Sequence, residues 1–361
     1  MTEGPLYASW SPTFKVAGAP QPDLARDLVH LEVQETTGGL RTCVARFVDV
    51  GPVSGAQVEQ FLYLDGRVLD FGKALEVAVG PPGDERLVFK GPISALEHRY
   101  VEAQAHELAV FAEDALMELR MTRRSRTYEN ATDAQIVQEI AQAHGLAADA
   151  DAPGPSYDVV QQWNQSDLAF LRERARRIQA ELFMDDRTLC FKARGGRTAT
   201  EVTLVAGNTL LRATIRADLA HQRTQVRVSG YDAQSRDLID EEAVADAIQG
   251  EVESGRTGPQ ILQQAFGDRV SRRTRDAPLT SAEASQWARA ELVRRARGFV
   301  HVDGTTSGTP DLMVGSKVEL QGMGRPFDGA RYYVTRVCHT YEHQNGLRTH
   351  FEAERATVST S

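Results

Sequence analysis

Cysteine is scarce in this 361-residue sequence: Cys43, Cys190 and Cys338 are odd in number and far apart. That excludes a disulfide framework and suits a chain made in the reducing cytoplasm, with buried thiols. No stretch approaches the roughly 18 apolar residues needed to cross a bilayer, so no direct membrane insertion is expected. The opening MTEGPLYASWSPTF lacks a basic region followed by an apolar run, so no secretory leader is expected. Positive charge is in the minority, with 41 Lys and Arg against 50 Asp and Glu. The net charge of −9 argues against nucleic-acid specificity. Tryptophan occurs only at Trp10, Trp163 and Trp287, too dispersed for the aromatic stripe of a glycan-binding barrel. G-x-S-x-G, H-E-x-x-H and a catalytic cysteine signature are all missing, so no enzyme and no cofactor are expected.

What is present is mostly β. Residues 28–33 and 40–50 read as a hairpin turning at Thr36-Thr37-Gly38-Gly39. Short strands are predicted at 58–64, 75–79, 86–90 and 93–101, spaced as in a small barrel. A helix over 134–144 is capped within Asn130–Asp133 and ended by Gly145. A loose loop is expected at 147–156. Ser166 then reads as the N-cap of a helix with Leu168, Leu171, Ala175 and Ile178 on one face, and Arg172, Arg174, Arg176 and Arg177 on solvated or partner-facing sides. Strands follow at 181–185 and 188–193, and β-rich sequence returns at 200–231. The stretch 233–280 is polar with little periodicity, and is expected to order on contact with a neighbour. A helix over 281–297 and strands over 299–357 complete the chain.

The two β-rich halves resemble each other. Gly72-Lys73-Ala74-Leu75-Glu76-Val77 is echoed by Gly315-Ser316-Lys317-Val318-Glu319-Leu320. Leu96–Tyr100 is echoed by Val337–Tyr341, and Phe111 by Phe351. Earlier, Arg41-Thr42-Cys43-Val44 matches Arg223-Thr224-Gln225-Val226 at a shorter offset, which implies an insertion in the second copy. Any one match is weak; four in the same order favour duplication. The expected architecture is mainly β (α+β): two similar antiparallel tube-like β-barrels joined by an α/β segment. Its predicted domains are 1–125, 126–197 and 198–361, the last interrupted by a partly helical insertion at 233–298.

Candidate chemistry is thin. With a two-residue turn at Asn345-Gly346, strand alternation would put His339, His343 and His350 on one face, a possible zinc set. Diagonal neighbours about 7–8 Å apart are wide for one ion, so no metal site is assigned. The acid pairs Asp185-Asp186, Glu241-Glu242 and Asp65/Asp70 read as solvated turns, because nothing fixes their separation. Arg123-Arg124-Ser125-Arg126 and Ser271–Arg275 read as exposed linkers or contacts to an acidic partner.

The run from Gln161 to Arg174 resembles the Q-x-x-x-S-D-x-x-F-L-x-R pattern of phage late control D and VgrG-type baseplate hub proteins. It contributes Ser166, Asp167, Phe170, Leu171 and Arg174 as motif residues. A second match lies toward the C-terminus and includes Gly315, Gly329, His339, Gly346 and Thr349. The resemblance implies a structural, non-enzymatic hub of a contractile injection system or phage tail. Such a hub is a homotrimer linking a hexameric inner tube, or a tube-initiator protein, to a trimeric spike, alongside other baseplate proteins. It implies assembly into a tail or injection particle, possible release outside the cell, and a spike on a separate chain. The alternative is an effector, or a wall-degrading or glycan-binding component, carried by the same machine.

Overall fold

Buried and exposed residues alternate from Thr13 onward, the signature of a strand with one face on a core. The computed structural model describes residues 9–359 apart from 53–58, 198, 234 and 275–279. Its first half contains β1 (Thr13–Val16), β2 (Ala19–Pro20), α1 (Pro22–Asp27), β3 (Leu28–Thr36), β4 (Thr42–Val48), β5 (Val50–Pro52) and β6 (Glu59–Phe61). β7 (Ala74–Val79), β8 (Arg86–Arg99) and β9 (Glu107–Glu113) follow. The two strands predicted at 86–90 and 93–101 are one, β8, bent by a bulge between Ile93 and Ala95.

A middle unit is built from α2 (Leu116–Arg120), β10 (Arg123–Thr132), α3 (Asp133–Ala143), β11 (Ala147–Ala150), β12 (Ser156–Ser166), α4 (Asp167–Ile178), β13 (Ala180–Asp185) and β14 (Thr188–Ala193). α3 begins with a capping box, Thr132 bonding reciprocally with Gln135. The loop expected at 147–156 is confined to 151–155: β11 pairs in parallel with β14 before it, and β12, starting at Ser156, pairs with β10 after it. Arg123–Arg126 lie within β10 and are no linker.

The second half holds β15 (Glu201–Val205), β16 (Leu210–Ala217), β17 (Gln225–Asp232), β18 (Asp237–Ala243), β19 (Arg256–Thr257), α5 (Gly258–Phe266), β20 (Val270–Arg273) and α6 (Ser281–Arg297). It ends with β21 (Val300–Thr306), β22 (Lys317–Gln321), β23 (Gly329–Glu342), β24 (Gly346–Arg355) and β25 (Thr357–Val358). Of the stretch 233–280, expected to order on contact with a neighbour, the described residues form strands and helix within the single chain, while 234 and 275–279 lie outside the described residues. β17, β18 and β20 form a separate sheet, and Val226, Val228 and Ile239 pack on Trp287, Ala288 and Leu292 of α6. β16 pairs directly with β21, so the interruption spans everything between them and begins earlier than the predicted 233. β17 is therefore no counterpart of β4. That corrects the match of Arg41–Val44 with Arg223–Val226.

Among the described residues, thirteen strands form one sheet in the order β16-β21-β24-β23-β3-β4-β9-β8-β7-β1-β2, with β22 on β23 and β15 on β22. All its pairings are antiparallel except β15 with β22. Each half carries the same device. Gly72 (φ 76°) and Gly315 (φ 93°) lead into β7 and β22, a backbone region that glycine enters without a Cβ penalty. Gly72 donates its N–H to the Ile93 carbonyl at 2.8 Å, and Gly315 to the Val334 carbonyl at 2.9 Å. Ile93 and Val334 return N–H bonds of 2.9 Å to Lys73 and Ser316. A bulge follows at Ile93/Ala95 and at Val334/Arg336. β3 and β16 share another bulge, at Leu28/His30 and Leu210/Arg212. These registers set Leu96 against Val337, and Leu28 against Leu210. They also set Phe351 against Val110, one residue from the predicted Phe111, because Val110 and Phe351 both face a core.

The halves meet where Leu31–Thr36 of β3 pair with Arg336–Tyr341 of β23. Tyr341 and Leu347 reach across the joint into the first half's core, beside Leu31, Val33 and Phe47. Each such side chain contributes about 1.5–3 kcal/mol by burial, so the joint is a shared core.

Candidate functional site at the three-way junction

Glu35 sits near the end of β3 with almost no exposure. A carboxylate there is tolerable only if it is paired and hydrogen-bonded. Arg41, just before β4, donates to Glu35 Oε2 at 2.7 Å, and Arg197 from the middle unit's exit bonds Oε1. Arg197 also donates to Glu181 Oε2 of β13 at 3.3 Å, and the Tyr333 hydroxyl of β23 donates to the same oxygen at 2.7 Å. Arg194 bonds Glu354 of β24 and lies 4.0 Å over the Tyr333 ring. The network thus ties the first half, the middle unit and the second half together.

Burial alone would raise the Glu35 pKa, but Arg41 and Arg197 outweigh it and hold the group below the usual carboxylate range. Burial likewise works against Arg197, and Glu35 and Glu181 more than restore its charge. Nearby Asp114 accepts backbone N–H bonds from Arg41 and Leu116, yet burial pushes it up to about 6. Glu35, Glu181 and Glu354 each accept from a guanidinium at this junction.

Gly315 belongs to the same place. A Cβ there would lie 2.7 Å from Arg197 Cδ, so the backbone must stay bare for the Arg197 stem to pass. His339 is buried on β23 with its Nδ1 2.9 Å from Thr349 Oγ1, and Thr349 accepts the Thr309 N–H at 3.2 Å. Burial, with the nearby Arg41 charge, pushes the His339 pKa down to about 4. Gly346 (φ 63°) follows the three-residue loop 343–345 that closes the β23–β24 hairpin. The predicted two-residue turn is therefore replaced by a longer one. His339 pairs with Thr349, and His350 pairs with Cys338 and contacts Thr305 at 3.0 Å. The three histidines do not share a face. Gly329 (φ 127°) opens β23 beside Arg355.

The other motif residues form a second network inside the middle unit. Ser166 Oγ caps α4 by accepting the Ala169 N–H at 3.2 Å. Asp167 is fully buried and is met by Gln162 and His144, each at 2.8 Å, and by Arg124 at 3.3 Å. Phe170 stacks on Tyr128 with ring centroids 5.8 Å apart, and Leu171 is buried beside them. Arg174 was expected on an outward side of α4, yet it is buried. It donates to Asp133 at 2.6 Å and lies 4.2 Å over the Tyr157 ring, whose hydroxyl also bonds Asp133 at 2.9 Å. A helix side reads as solvated from composition alone, but β12 and α3 close over this one.

The structure therefore separates the ten motif residues: five in the middle unit, and five in the second half, of which Gly315 touches the junction. Glu35, Glu181, Arg194 and Arg197 were not recognised in the sequence, since each looks like an ordinary charged residue. The acid pairs are dispersed on the surface, with Asp186 2.8 Å from Lys90 and Glu242 2.8 Å from Arg227. Of the second arginine cluster, Arg273 approaches Glu291 at 3.5 Å, while Arg275 lies outside the described residues.

Among solved structures, the 43 kDa tail protein of prophage MuSo2 from Shewanella oneidensis superposes with a TM-score of 0.70 at 13% identity, covering 96% of this chain and 99% of that one. A tail protein of Neisseria meningitidis MC58 gives 0.69 at 12% identity, with 96% and 97% covered. A type VI secretion system component of E. coli, described as similar to the T4 tail proteins gp27 and gp5, gives 0.55 at 14% identity, with 96% and 79% covered. At such identities the likeness establishes the fold, which is that of phage-tail proteins. No protein of curated function matches in sequence. The family model that does match is not a late control D or VgrG one: residues 16–343 fit the Alg8 N-terminal domain, and the chain belongs to that family.

Proposed function

We infer that the protein is a structural baseplate subunit of a phage tail or contractile injection system, acting as a trimeric adaptor between a tube and a spike. The observation that carries this reading is the repeated strand device, Gly72 with Ile93 and Gly315 with Val334, within one tail-protein fold. Two similar β-barrel units per chain become six in a closed ring of three chains. One face of such a ring approximates sixfold symmetry for a tube, and the other keeps threefold symmetry for a spike. On this reading the units are 1–125, 126–197 and 198–361, and the role is mechanical, without catalysis or cofactor. The buried junction supports that role, because its charges are spent on holding three units in a fixed arrangement. Sedimentation velocity of the purified protein, alone and with its spike protein, tests the reading. A trimer, or a three-to-three complex with the spike, is expected; a monomer indifferent to the spike overturns it.

A further inference from the structure

The two halves differ at one place where their strands should match. In the second half, the outer edge of β23 at Arg336–Tyr341 is covered by β3. The matching stretch of the first half is β8 from Ala95 onward, which pairs with β9 on one side only. Among the described residues, no strand covers its other edge. The counterpart of β3 is β16, and among the described residues β16 pairs with β21 as its one strand neighbour. The described residues therefore carry one filled joint and the two unfilled halves of a second.

We propose that β16 of one copy docks along the free edge of β8 of the next copy, repeating between chains the β3–β23 joint made within the chain. The proposal rests on the trimeric reading above and adds the strands and the register. The matched bulges fix that register. Val337 opposite Glu35 becomes Leu96 opposite Ala217. Cys338 opposite Gln34 becomes Glu97 opposite Arg216, and His339 opposite Val33 becomes His98 opposite Ile215.

The chemistry of the two edges agrees with this alignment. Leu96 and Ile215 are half-buried against their own cores, so docking would extend both cores across the seam. Glu97 and Arg216 are exposed, and neither has a charged partner among the described residues. The alignment places them directly opposite, where unlike charges stabilise a strand pair. His339 is buried where β3 covers it, whereas no strand among the described residues covers the edge at His98, whose ring meets Phe61, Asp49 and His106 at 5.4, 3.7 and 3.1 Å. Beside His98, Tyr100 at the end of β8 is 65% exposed, and Phe61 of the neighbouring β6, against the His98 ring, is 49% exposed. An open edge of this kind is a template for another strand, and soluble chains usually shield it. Because the two edges differ, the contact is head-to-tail and builds a ring or a filament rather than a twofold dimer.

The test uses the full chain with Glu97→Cys and Arg216→Cys together, treated with a short bismaleimide and run on a denaturing gel. A control carries Glu97→Cys with Arg212→Cys, four residues along β16 and so about 13 Å out of register. Covalently linked trimers from the first variant and not the second are expected. Sedimenting trimers without the Glu97–Arg216 link, or with equal linking in both variants, would overturn the strand register while leaving the trimeric reading in place. A chain that is monomeric at every concentration and never linked would overturn both.

Discussion

Gly315 leaves bare the space that Arg197 occupies, a Cβ there coming within 2.7 Å of Arg197 Cδ, whereas the equivalent Gly72 has nothing within 4 Å. The same turn has thus become a packing element in one half only.

Alanine at the two glycines should separate backbone strain from displacement of the charge network. Gly72→Ala is expected to cost roughly 1 kcal/mol, the penalty for a positive φ. Gly315→Ala adds displacement of Arg197 from Glu35 and Glu181, for a total of about 3 kcal/mol or more. Urea midpoints of the two variants check this; equal losses would mean that Arg197 moves aside without cost.

Arg174 and Asp133 are buried together, so removing one strands the other. Arg174→Met and Asp133→Asn should each destabilise the protein by about 3–5 kcal/mol. The double variant should lose clearly less than the sum. Additive losses in chemical denaturation would contradict a coupled pair.

Acid should act on His339. Its folded pKa of about 4 lies below the ordinary 6.5, so the unfolded chain takes up the proton first. The stability it supports is complete above about pH 6.5 and falls away toward pH 4, by up to about 3 kcal/mol. Asp114, raised to about 6, works in the opposite direction, gaining stability as the pH falls through 6. His339→Asn should therefore flatten the loss between pH 7 and 4.5, and Asp114→Asn should steepen it. Identical pH profiles for His339→Asn and the parent protein would show that the histidine does not titrate in this window.

All three thiols are buried, and burial raises their pKa values, that of Cys338 to about 11. Native protein should react negligibly with a disulfide reagent at pH 8, and three thiols should appear in denaturant. Rapid native labelling at any of them would contradict the packing described.

Much of the fold was legible because short-range rules dominate where it was read. Thr132 and Ser166 cap their helices as a polar residue before an apolar period should. Gly72 and Gly315 marked the repeat because glycine enters that φ without a Cβ penalty. The misreadings share one cause. Arg223–Val226 resembled Arg41–Val44, but pairing partners decide which sheet a strand joins. The β23–β24 register was misplaced because loop length, not composition, sets it. β11 looked like a loop because a four-residue strand gains its identity from the β14 beside it.

The sequence by itself determined the predominance of strands, the helix starts and the internal echo, since these follow from alternation, capping and glycine conformation within a few residues. Only the tertiary structure decided that Glu35, Glu181, Arg194 and Arg197 would meet, that Arg174 would be buried and that His339 would stand apart from His350. Those outcomes depend on which distant surfaces close over a side chain, and a charged residue carries no local mark of the partner that will neutralise it.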